Sequence, residues 1–141
     1  AATVVRNAQA FATALDRRGF HVAAKELGYT RSHQVAVDVG ELGGGKDVSR
    51  RLCDEGIITN MNLLPGEPRK NARNPRGIRL GVQEMTRFGM GEAEMDRIAE
   101  LMRRYLMGGE SIADSCRELR EEFREIRYGF SQAELDAAPS A

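Results

Sequence analysis

Paired cysteines, histidine clusters, a surplus of charge of either sign and long apolar runs are all missing from this sequence, and each absence removes a class of function. The two cysteines, Cys53 and Cys116, lie far apart and have no paired metal-ligand spacing. Cys53 follows Leu52 in an apolar helical pattern and Cys116 shares a stripe with Leu119, so both are expected in the core and neither is a candidate nucleophile. His21 has no carboxylate, cysteine or second histidine at helical or hairpin spacing, so no metal site is expected. Lys plus Arg and Asp plus Glu both total 21, which leaves no global field to draw the chain to nucleic acid or an anionic membrane. No stretch reads as a secretory signal or a membrane span, and the expected setting is the cytoplasm, with reduced thiols.

What is present is patterned. The 141 residues fall within the size of one domain. Val4, Val5, Ala8, Phe11, Ala12 and Leu15 show helical spacing from near the start, so the chain reads as entered part-way, as a separated domain or subunit would be. That helix should stop near Gly19, with a short strand over 20–24. Gln34 to Val39 alternates, with Val35, Val37 and Val39 on one face, which is the period of a half-buried strand. A helix is expected over 47–55, ended by Gly56, followed by an extended piece at Ile57 and Ile58. Pro65, Pro68 and Pro75 make 65–76 a long loop, and long loops in compact domains are often functional. A strand over 77–81 and a turn of helix over 84–88 come next, then two helices over 92–107 and 111–127. In the last of these Ile112, Cys116, Leu119, Phe123, Ile126 and Phe130 form an apolar seam suited to the sheet or to another subunit. Its arginines alternate with glutamates, a solvated ion-pair surface rather than one for RNA. The fold class expected is α+β, a small antiparallel sheet covered by helices.

Few residues could carry chemistry. In a strand, Ile78 and Leu80 would point to one face and Arg79 to the other, with Gly77 and Gly81 leaving the backbone open to close approach. A guanidinium presents two parallel donors that match the two oxygens of a carboxylate. Spacing alone leaves Arg79 either such a clamp or an edge arginine facing water or an aspartate. Gly40 to Asp47 nearly spells a phosphate loop, but Asp47 stands where a serine or threonine is needed, and ordinary strand-to-helix turning accounts for the glycines. His33, at the start of the Val35 strand, suits either a hydrogen bond to a neighbouring loop or a titrating role. Asn60, Asn62, Asn71 and Asn74 gather around the proline loop, where amides make turns or bind a polar ligand.

Three blocks, in order, resemble the C-terminal part of serine hydroxymethyltransferase: Thr30-Arg31-Ser32-His33-Gln34 leading into Val35-Ala36-Val37-Asp38, then Ile58-Thr59-Asn60-Met61-Asn62-Leu63-Leu64-Pro65, then Gly77-Ile78-Arg79-Leu80-Gly81. Val82 to Met90 is similar to the archaeal-type branch, and the likeness runs from the first helix to about Tyr128.

The resemblance implies the small C-terminal domain of a fold-type I, pyridoxal-phosphate-dependent enzyme over residues 1–130, with a flexible tail over 131–141. It implies that Arg79 binds the α-carboxylate of the amino-acid substrate and that Asn62 lies in the loop on the folate side; Asn60, close to it in sequence, and His33 are the further candidates, for the carrier or substrate loop and for active-site support, with a structural role the first reading of His33. It assigns this chain no catalytic residue. None of Lys25, Lys46 or Lys70 has the Thr-rich His-Lys setting of the family's cofactor lysine, so pyridoxal phosphate is expected to be held by a large subunit or domain, in a higher oligomer. The family's Ser-Pro-Phe before the arginine strand is replaced here by Asn71-Ala72-Arg73-Asn74-Pro75-Arg76. That departure leaves open both hydroxymethyl transfer on serine or glycine with tetrahydrofolate or a related pterin, and carrier-free aldol exchange of the threonine transaldolase kind. A different class is a non-catalytic module that binds amino acids or assembles a complex.

Overall fold

The computed structural model describes residues 2–127; the tail expected at 131–141 and the seam position Phe130 lie outside them. Helix α1 (Ala2–Arg17) leads to a two-residue strand β1 (His21–Val22), then β2 (Gln34–Asp38), helix α2 (Gly45–Asp54), β3 (Asn60–Asn62) and β4 (Gly77–Gly81). Helices α3 (Gln83–Arg87), α4 (Glu92–Leu106) and α5 (Ala113–Glu122) follow. The four strands form one antiparallel sheet in the order β1-β2-β4-β3. This is the α+β class expected.

Strand alternation gives the sheet two unlike faces. Val35 and Val37 of β2 and Ile78 and Leu80 of β4 are buried, and with Phe11 and Leu15 of α1, Val48 and Leu52 of α2 and Met95 and Met102 of α4 they make one core. Helix α1 lies on β1 and β2, α2 on β3 and β4, and α4 runs along α1. Arg18, from the end of α1, reaches Asp96 at 2.8 Å and Glu100 at 2.9 Å on α4, and Glu100 also holds Arg103 at 2.7 Å. The other face carries Gln34, Ala36, Asp38, Arg79, Asn60 and Asn62, all half-buried or exposed.

Gly45 shows how closely α2 meets the sheet. Its N–H donates to the Pro75 carbonyl at 2.7 Å, and a Cβ there would lie 2.1 Å from the Gly77 carbonyl oxygen. Only a residue without a side chain fits at that approach.

Several expectations need correction. Helix α5 ends at Glu122, five residues early, because Phe123 leaves helical geometry (φ −128°, ψ 65°) and the chain turns back so that the Arg127 N–H donates to the Arg87 carbonyl. Its seam is not an exposed docking edge: Ile112, Cys116 and Leu119 are buried in the core of this same chain, and Ile126 is 52% exposed. Cys53 is exposed, since α2 buries the line through Val48 and Leu52 and the next residue points about 100° away from it. The extended piece expected at Ile57 and Ile58 starts as a strand only at Asn60, and Ile58 is 86% exposed. The proline loop contains a 3-10 turn, Arg69–Arg73.

Candidate substrate-binding site

The site is built on β4. Register sets Ala36 of β2, Arg79 of β4 and Asn60 of β3 in one row across the open face. The methyl of Ala36 on one side leaves room for the arginine stem, while Asn60 on the other faces it with an amide. The Arg79 Nε–H donates to Asn60 Oδ1 at 3.3 Å, and the Thr59 hydroxyl donates to the Arg79 carbonyl oxygen. Edge strand β3 and the residue before it therefore hold Arg79, Thr59 at its main chain and Asn60 at its side chain.

The charge of Arg79 is what sets it apart. Arg18, Arg51, Arg103 and Arg104 are also half-buried, and each faces a carboxylate. Arg79, half-buried too, faces none among the described residues, and its two terminal nitrogens make no hydrogen bond there. The acid that shares its face, Asp38, is already taken: Arg76 donates to Asp38 Oδ2 from Nε at 3.1 Å and from Nη2 at 2.9 Å. That paired carboxylate raises the pKa of Arg76 above the usual arginine value. A guanidinium without an acid partner on an open face can take an anionic group, and its planar fork matches the two oxygens of a carboxylate.

The neighbouring glycines do not leave the gap expected. A Cβ at Gly77 would meet Leu64 Cδ2 at 2.6 Å and the Asn62 carbonyl at 2.7 Å, and one at Gly81 would meet Gln83 Oε1 at 2.6 Å. Side chains of this chain fill both positions, so access to Arg79 comes from the open face and not along its strand.

Of the other residues singled out from the sequence, Asn60 is brought against Arg79, whereas Asn62 turns its amide onto the Leu63 carbonyl at 2.7 Å. The His33 side chain meets that of its neighbour Gln34, Nε2 to Nε2 at 3.0 Å, and its carbonyl accepts from the Val82 N–H. Among the described residues it makes no hydrogen bond to Arg79. In the segment from Gly40 to Asp47 the N–H groups of Gly40, Gly44 and Gly45 are engaged by Asp38, Val39 and Pro75, and Asp47 pairs with Arg50 and Arg51. It is a turn, not a phosphate cradle.

Glu67 was not singled out from the sequence, and it shapes the site's border. Its carboxylate accepts from the N–H of Leu64 at 3.1 Å, the N–H of Arg76 at 2.9 Å and the Asn71 amide at 3.1 Å, closing the proline loop on itself. Burial works against its charge, yet these donors and nearby Arg76 hold its carboxyl below the usual range. The available clue was that Glu67 is the one acid between Pro65 and Arg76, a stretch rich in prolines, amides and cations.

The described residues do not fit a pyridoxal phosphate site by themselves. Lys25 is paired with Asp16 at 2.7 Å, and Lys46 and Lys70 are exposed. A concavity lined by Phe88, Gly89, Phe123 and Arg124 contains no lysine and does not include Arg79.

Comparison with known proteins then decides the family. The serine hydroxymethyltransferase profile matches residues 1–102. The chain belongs to the serine hydroxymethyltransferase family. It is 50% identical over 131 residues to the serine hydroxymethyltransferase of Metallosphaera sedula, covering 91% of this chain and 30% of that protein. It is 47% identical over 135 residues to that of Sulfolobus acidocaldarius (94% and 31%) and 41% identical over 131 residues to that of Methanobrevibacter smithii (93% and 31%). The chain thus spans about a third of the length of the curated relatives it matches. Among solved structures it is similar to the L-threonine transaldolase of Pseudomonas fluorescens, with a TM-score of 0.80 at 28% identity over 96% of this chain and 32% of that one.

Proposed function

We propose that this chain serves a pyridoxal-phosphate-dependent enzyme of the serine hydroxymethyltransferase kind by gripping the carboxylate of the amino-acid substrate with Arg79. The observation that carries this reading is the half-buried guanidinium that, among the described residues, has no acidic partner and lies on the open face of the sheet. Holding both oxygens of a carboxylate fixes the orientation of the substituents at Cα as well as the charge, which is how a binding residue favours one bond for reaction. Because no lysine of this chain fits the cofactor, pyridoxal phosphate belongs to residues outside those described, in a large domain or partner subunit, and the assembly is a higher oligomer in the cytoplasm. Serine and glycine are the substrates proposed, with hydroxymethyl transfer to a folate or related pterin.

One observation favours a second reading. In the loop at 65–76, pinned by Glu67 and carrying Arg69, Lys70, Arg73 and Arg76, the stretch from Asn71 to Arg76 stands where the family has Ser-Pro-Phe, and the likeness to a threonine transaldolase fits aldol exchange without a carrier.

The test is the visible spectrum of the cofactor-loaded protein, with its large domain or partner, on adding serine, glycine, threonine or α-methylserine. Spectral shifts that are lost in Arg79→Ala support the reading, and the amino acids that cause them name the substrate. Shifts indifferent to Arg79→Ala would overturn the carboxylate role of Arg79, and no shift with any amino acid would favour a non-catalytic module instead.

A further inference from the structure

A guanidinium has two forks. The side-on fork uses Nε and one terminal nitrogen, the end-on fork both terminal nitrogens, and each matches a carboxylate. The open face of this sheet shows the first in use, where Arg76 grips Asp38 from Nε and Nη2. At Arg79 the single hydrogen on Nε is already engaged by Asn60 Oδ1, and Nη1 and Nη2 remain free of partners among the described residues.

Resting on the carboxylate reading of Arg79, we propose that Asn60 is a positioning residue: it engages Nε, closes the side-on fork, and leaves the end-on fork as the one that meets the substrate. Two features of the fold make Asn60 suited to this. Direct pairing of Asn60 with Arg79 across β3 and β4 fixes their approach, and the hydroxyl of the preceding residue, Thr59, donates to the Arg79 carbonyl and ties the start of β3 to Arg79 from the main-chain side. The amide is also neutral. An aspartate would hold Nε as well but would neutralise the guanidinium, as Asp38 does to Arg76, and the ligand would then compete with a resident carboxylate. Asparagine orients the charge and leaves it uncompensated. Asn60 thus acts through Arg79, and it need not touch the second substrate.

The experiment uses the cofactor-loaded full-length protein and calorimetric binding of glycine and of glycinamide, which lacks the carboxylate. In Asn60→Ala the dissociation constant for glycine should rise about fivefold, the worth of one modest hydrogen bond, with glycinamide unchanged. In Asn60→Asp the loss for glycine should be larger, although an acceptor for Nε is kept. Equal weakening of glycine and glycinamide in Asn60→Ala, a change confined to the KM of a pterin carrier, or wild-type glycine binding by Asn60→Asp would each overturn the proposal. Arg79→Ala separates the two levels of argument. If it leaves the preference for glycine over glycinamide intact, the carboxylate reading itself fails; if it abolishes that preference while Asn60→Ala does nothing, only the role of Asn60 is lost.

Discussion

Arg79 and Arg18 have the same side chain in opposite surroundings. Arg18 is spent on Asp96 and Glu100, while among the described residues Arg79 meets a neutral amide and no acid. Arg79→Lys keeps the positive charge but removes the fork, so its affinity for glycine should fall between that of the wild type and that of Arg79→Ala in a calorimetric titration. Equal affinity of Arg79→Lys and the wild type would show that charge alone matters there. Asn7 is buried on α1 and donates to Thr86 Oγ1 at 2.8 Å and to the Met90 carbonyl at 2.9 Å. Asn7→Ala leaves that carbonyl without this donor and should cost about 1–3 kcal/mol in urea denaturation. The apolar residues beside Asn7 were legible from helical spacing, but the role of Asn7 was not, because its partners lie 79 and 83 residues away in sequence.

At the scale of elements, the joints carry the predictions. Gly45→Ala forces a methyl against the Gly77 carbonyl and should destabilise the protein by about 1–3 kcal/mol in chemical denaturation, with the disturbance centred on the start of β4. Glu67→Ala removes the acceptor shared by Leu64 N, Arg76 N and Asn71, so hydrogen exchange at Leu64 and Arg76 should quicken while the centre of β4 stays protected. The clamp between α1 and α4 has a pH signature. Arg103 and then Arg18 hold the Glu100 carboxyl at about 2, below its ordinary 4.5. A depressed carboxyl stabilises the fold fully above the unfolded value and loses that contribution as pH falls through the folded one. The wild type should therefore melt higher than Glu100→Gln above about pH 4.5, and the gap should close toward pH 2. Long elements were readable: α1, β2, β4 and α4 sit within a residue or two of where periodicity put them. The misses have local causes. Helix α5 stops where the backbone turns back to α3, and Cys53 faces out because one apolar neighbour does not decide a face.

For the whole molecule, the layer arrangement decides what the site can be. Among the described residues α1 and α2 make the main helix contacts with the sheet, whose buried side carries Val35, Val37, Ile78 and Leu80, which leaves Arg79 and Asn60 on the opposite face. Motif order carried the family, and strand alternation put Arg79 on the polar face, yet neither could tell that it faces no acid among the described residues. That depended on the pairing of Asp38 with Arg76, 38 residues apart, which no local spacing encodes. Whether a substrate carboxylate sits on the end of Arg79 is best read from a crystal structure of the full-length, cofactor-loaded protein with glycine bound. Both carboxylate oxygens should lie about 2.9 Å from Nη1 and Nη2, with Asn60 still on Nε. A glycine carboxylate held by other groups, with the Arg79 guanidinium turned away from it, would rule out that role for Arg79.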